Sequence, residues 1–145
     1  MSFRSVHEFV NLLYDSLDEA VQLSTKTGND LYPTTITASI AATGTQSGAA
    51  ELSGLCPIRL LVPSGWRSTA AAVRVLISED GTTYRRLYDR YGTVLSIEMA
   101  ADRAVQIDPN DFAGVSYIKL SSCTAQGTAV TQGTVAPVGI VARLV

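Results

Sequence analysis

The spacing of apolar residues divides the chain into two parts with different periods. In the first part, Val6, Phe9, Val10, Leu13, Leu17, Ala20 and Val21 recur every three or four positions, and Asn11, Asp15, Asp18, Gln22 and Lys26 take the opposite side. That pattern predicts an amphipathic helix. Ser5 and Glu8 stand at capping-box spacing, and Lys26 followed by Gly28 has the order of a helix end. The stripe of Val6, Phe9, Val10, Leu13, Leu17 and Val21 is apolar surface that needs a partner, so these six residues are candidate interface residues. The segment GNDLYPTT (28–35) reads as a linker, because Pro33 blocks continuation of a helix.

After the linker the period falls to two. Ile36, Ala38 and Ile40 alternate with Thr37 and Ser39, as a half-buried strand requires. Further strands are expected over Ile58–Val62, Ala72–Ser78, Tyr84–Asp89, Val94–Met99, Ala104–Asp108, Tyr117–Ser121 and Gly139–Leu144. Turn signals separate them: the segment GTQSG (44–48), Pro63-Ser64-Gly65, Glu79-Asp80-Gly81, Tyr91-Gly92, Asp108-Pro109-Asn110-Asp111 and the polar run 124–133. Asp80-Gly81 between two apolar runs is the clearest hairpin signal. Short strands without helical pattern between them predict an all-β fold, an antiparallel β-sandwich of jelly-roll-like form. The expected organisation is therefore an N-terminal helix and linker over residues 1–33 and a β-sandwich domain over residues 34–145.

Composition narrows the function classes. Charged residues make up 17% of the chain, against roughly 25% in average soluble domains. A formal net charge of −2 gives no basic face for phosphate neutralisation, so nucleic acid is not an expected partner. Most of the basic residues are Arg, which suits planar paired contacts at protein interfaces. The start MSFRSVHEF lacks an apolar run with a small-residue cleavage site, and no apolar stretch approaches the ~20 residues of a membrane span. A soluble product made in a cytoplasm, with no membrane association, is the expectation. Cys56 and Cys123 are too few for a disulfide framework and are read as buried small hydrophobes.

Candidate chemistry is sparse. The one histidine, His7, falls on the helix without an evident orienting carboxylate, and no nucleophile elbow, zinc-protease or phosphate-loop motif occurs. No catalytic residue, metal or cofactor is expected, and the protein reads as a non-enzyme. Asp108, Asn110 and Asp111 cluster as calcium ligands can, but Asp108-Pro109 fits an N-cap with proline at the first position of a short helical turn. Arg85, Arg86 and Arg90 are diluted by Glu79, Asp80 and Asp89 and read as solvated or intersubunit charges. Trp66, Tyr84 and Tyr88 are candidates for stacking on a sugar; the alternative is that Trp66 and a tyrosine cap the core.

From about Leu52 the chain resembles small β-sandwich proteins of tailed-phage genomes. The resembling elements are RLLVPSGWRSTAAAVRVLISEDGTTYRRLYD (59–89) and AVQIDPNDFAGVSYIKLSS (104–122). They share an apolar strand, a Pro-x-x-Trp corner, a strand ending in Asp-Gly, an aromatic strand and a D-P-x-x-F-x-G turn. The resemblance implies a virion structural protein of the capsid-decoration (cement) or head-fibre type. It would bind the major capsid protein or another virion protein, most simply as a homotrimer. A carbohydrate-binding module for host glycans, or a neck or tail adaptor subunit, are the alternatives.

Overall fold

Residues 33–144 are described by the computed structural model of the protein; the helix expected over the N-terminal stripe, with Val6, Phe9, Val10, Leu13, Leu17 and Val21, lies outside the described residues. Within them the chain forms nine strands: β1 (Thr34–Ile40), β2 (Ala50–Glu51), β3 (Cys56–Leu61), β4 (Ala72–Ser78), β5 (Arg85–Arg86), β6 (Ser96–Glu98), β7 (Ala104–Gln106), β8 (Tyr117–Cys123) and β9 (Ala136–Arg143). A 3-10 turn over Pro109–Phe112 follows β7.

The strands make two antiparallel sheets. One has the order β1-β9-β3-β7; the other has the order β2-β8-β4-β5, with β6 also paired to β4. Register is specified by burial, since a slip of one residue would turn every side chain to the wrong face. In β1 and β9 the pairs Ala38↔Val138 and Ile40↔Ala136 face inward, whereas Thr37↔Gly139 and Ser39↔Pro137 face out. Along β4 and β8, Val75↔Leu120 and Val73↔Ser122 face inward. Both inner faces contribute to one core, in which Ile40, Leu60, Val73, Phe112, Leu120 and Ile140 are almost wholly buried. Each such aliphatic or aromatic side chain contributes about 1.5–3 kcal/mol on leaving water. The sandwich is thus an all-β layer pair with a shared centre.

Several expected elements shift. Strand β1 starts at Thr34, inside the expected linker, because its pairing with β9 runs from Thr34↔Ala142 onward. The expected Tyr84–Asp89 strand contracts to Arg85–Arg86, which pair with Ile77 and Leu76 of β4; one further bond, from the Leu87 amide to the Val75 carbonyl at 2.9 Å, ends the contact before the chain turns into the next hairpin. Ala50–Glu51 adds a strand with no alternating pattern of its own, docked on Ile118 and Tyr117. Inside the GTQSG loop, Ser47 is buried; its amide donates to the Leu120 carbonyl at 2.8 Å and its hydroxyl accepts from the Leu120 amide at 2.9 Å. Of the two cysteines, Cys123 is buried and Cys56 is half-buried.

Candidate interaction surfaces

The turns that flank the sheets are built by side chains capping backbone amides. After β4, the Asp80 carboxylate accepts from the amides of Thr82 (2.8 Å) and Thr83 (2.9 Å) and from the Ser78 hydroxyl (2.9 Å). These donors stabilise the ionised form and hold its pKa down at about 2. Gly81 accepts the positive φ of 78° that this turn needs. The next hairpin joins Leu87 to Leu95, and the Asp89 carboxylate takes the amides of Tyr91 and Thr93, both at 2.9 Å. At the 3-10 turn, Asp108 caps the Asn110 amide at 3.0 Å with Pro109 next in line. Among the described residues, no three His, Cys, Asp or Glu side chains come together as a metal-holding group.

The three aromatic candidates separate. Trp66 is 4% exposed, and its indole N–H donates to the Ala70 carbonyl at 2.7 Å. It packs in the core, the alternative weighed for it above. Tyr84 is half-buried, with the Lys119 ammonium 4.3 Å from its ring centroid, so a cation already occupies that face. Tyr88 is 53% exposed on the Leu87–Leu95 hairpin, and Tyr91, at its tip, is 80% exposed beneath the Arg90 guanidinium. The Arg85 and Arg86 side chains are exposed on β5.

Two surfaces stand out once the sheets are placed. The first is the outer face of the four-stranded sheet. Its rows are Thr37–Gly139–Leu61–Ala104 and Thr35–Val141–Arg59–Gln106, with Ser39–Pro137 at one end. Arg59 is the one charged side chain in these rows, and its Nε–H donates to Gln106 Oε1 at 3.2 Å. Leu61 is 40% exposed near the middle. A Cβ on Gly139 would meet Leu61 Cβ at 3.2 Å and Thr35 Cγ2 at 3.3 Å, so glycine lets its neighbours close over β9.

The second surface is a groove along one open side of the sandwich, between β6 and β7, enclosing about 280 Å³. Its floor is apolar: Leu95, Ile97, Val105, Ile107 and Phe112. Its lips carry Ser96, Glu98 and Gln106, and Asp108 and Asp111 complete the lining without a basic residue. Strand β7 ends its sheet, and bonds from Val62 to Arg103 and from Ile107 to Ile58 turn residues 103, 105 and 107 toward β3. The backbone groups of Ala104 and Gln106 therefore face away from the sheet. On β6, the Met99 amide donates to the Ala71 carbonyl at 2.9 Å, so residues 97 and 99 face β4 while Ser96 and Glu98 present their backbone outward. Partial desolvation, then the negative charges of Asp108 and Asp89, raise the pKa of Asp111 above the ordinary carboxylate value. The apolar runs 94–99 and 104–108 predict β6 and β7 as ordinary strands; that both are edges facing one groove depends on sheet order.

No protein-family model matches the chain, and no curated protein matches it.

Proposed function

We propose that the protein is a structural subunit of a tailed-phage particle, a capsid decoration or head-fibre protein that binds the capsid surface through protein–protein contacts as a homo-oligomer. The strand order carries this reading. β1-β9-β3-β7 facing β2-β8-β4-β5 is the interleaved order of a jelly roll, with β5 and β6 sharing one position. That double-sheet fold is used by viral capsid and lectin domains. The resembling segments 59–89 and 104–122 span the core strands β4 and β8 and the capped turn at Asp108.

Two further features support the assembly role over the glycan-binding one. The outer face of the four-stranded sheet is rich in short side chains and carries few charges, Arg59 and Arg143, so docking it against protein costs little desolvation. A sugar platform, by contrast, loses Trp66 to the core and the open face of Tyr84 to Lys119. The test is cosedimentation of the purified protein with purified phage heads, together with its mass by light scattering. An oligomer that pellets with heads in saturating, many-copy stoichiometry is expected. A strict monomer that stays in the supernatant overturns the proposal.

A further inference from the structure

We infer that the groove between β6 and β7 receives an extended segment of a partner protein in which apolar residues alternate with basic ones, adding a strand to one of its lips. Three observations converge on that occupant. Ser96 and Glu98 on one lip, and Ala104 and Gln106 on the other, present backbone donors and acceptors away from their own sheets, as strand addition requires. Between the lips, Ile97, Val105 and Phe112 belong to the core or pack against it, so side chains of alternate parity on an added strand would continue the core. The polar lining is acidic and has no basic counterpart, which selects a cationic guest.

The dimensions argue in the same direction. At about 280 Å³ the groove is below the ~300–1,000 Å³ of small-molecule pockets, and two contiguous four-residue stretches, 95–98 and 105–108, line it along its length, with Asp111 and Phe112 completing the lining. That shape fits a few residues of strand. A second copy of this chain pairing edge to edge through the same lips would set Glu98, Asp108 and Asp111 against their own equivalents, and like charges opposed across paired strands are unfavourable. A basic segment from a different surface meets no such repulsion.

This inference gives a binding surface to the assembly role proposed above, yet it is read on the purified protein, so its failure and the failure of capsid binding are separate results. The probe is a capped eight-residue peptide in which valine alternates with lysine. Controls are the same peptide with glutamate for lysine, and one with proline replacing two valines, which keeps the charge and removes backbone donors. Hydrogen exchange followed by NMR reads the amides of Ser96, Glu98, Ala104 and Gln106. The lysine peptide is expected to slow exchange at one lip's pair, with neither control doing so. In a Glu98→Lys, Asp111→Asn double variant, the Kd for the lysine peptide should rise by about tenfold or more at low salt. The Trp66 emission maximum verifies that the variant is folded. Unchanged exchange at all four amides, or equal binding of the proline control, overturns the inference and leaves two edges kept short against pairing.

Discussion

Single side chains decide the turns of this protein, and Asp80 does so most directly. Its carboxylate gathers two amides and the Ser78 hydroxyl, and Ser78 in turn accepts from the Gly81 amide at 2.9 Å. The folded-state pKa of about 2 lies below the ordinary aspartate value of 3.8. A depressed acid pKa contributes stability that is present above the unfolded value and lost as pH falls through the folded one. Urea unfolding measured across this window should show wild-type stability declining from about pH 4 toward pH 2, and Asp80→Asn should show a flatter decline from a lower plateau. Identical slopes for the two proteins would mean that the carboxylate is not the group being titrated. Trp66 is the other decisive residue at this scale. A Pro-x-x-Trp corner reads equally well as an exposed platform or a core cap, and only the 2.7 Å bond to Ala70 and the surrounding burial distinguish them.

At the scale of elements, the loop after β8 shows how a polar run becomes structure. Thr124 receives the amides of Gly127 (2.9 Å) through its carbonyl and Thr128 (3.2 Å) through its hydroxyl, closing a tight turn. The Arg74 side chain on β4 reaches across to the Gln126 carbonyl at 3.3 Å, and its guanidinium packs where a Cβ on Gly127 would stand. Gly127 also has φ of 95°. Gly127→Ala should therefore cost about 1–2 kcal/mol in urea-unfolding free energy, from the backbone conformation alone. Gly133→Ala is the matched control: it meets nothing within 4 Å and is not at positive φ, so its midpoint should stay close to wild type. Beyond this turn Gln132 is fully buried, its side-chain Oε1 accepting from the Arg67 backbone amide at 3.0 Å and its backbone N–H donating to the Gly44 carbonyl at 2.9 Å. It ties the corner before β4 to the loop after β1. A glutamine inside a run of threonine and glycine has no apolar neighbour pattern to announce such burial.

For the whole molecule, what matters is which faces the closed sandwich leaves outward. The outer face of the β1-β9-β3-β7 sheet joins residues from positions 35 to 141 into a low-charge surface centred on Leu61. If that face meets the capsid, Leu61→Glu should lower head binding in cosedimentation by about tenfold or more, because docking would then desolvate an unpaired charge. The Trp66 emission maximum and the urea midpoint should stay near wild type, since Leu61 lies outside the core. Undiminished pelleting of this variant would move the contact to another face.

Much of the chain was legible as sequence because local physics acts on neighbours. Alternation marked β4 over its observed bounds and the cores of β1, β3, β8 and β9, and Asp108-Pro109 marked the capped turn. Strand β2 was not legible, since two residues cannot display a period, and β5 shrank because strand length is set by the partner as well as by the strand. Sheet order was also out of reach: strands that follow one another in sequence mostly lie in opposite sheets, and pairing between them depends on long-range burial. The burial of Trp66, the low-charge outer face and the groove between β6 and β7 all follow from that order. Sequence by itself determined which residues of the longer strands turn inward and where the chain turns. Tertiary structure decided which edges remain open, because an edge exists only after every other strand has found its neighbour.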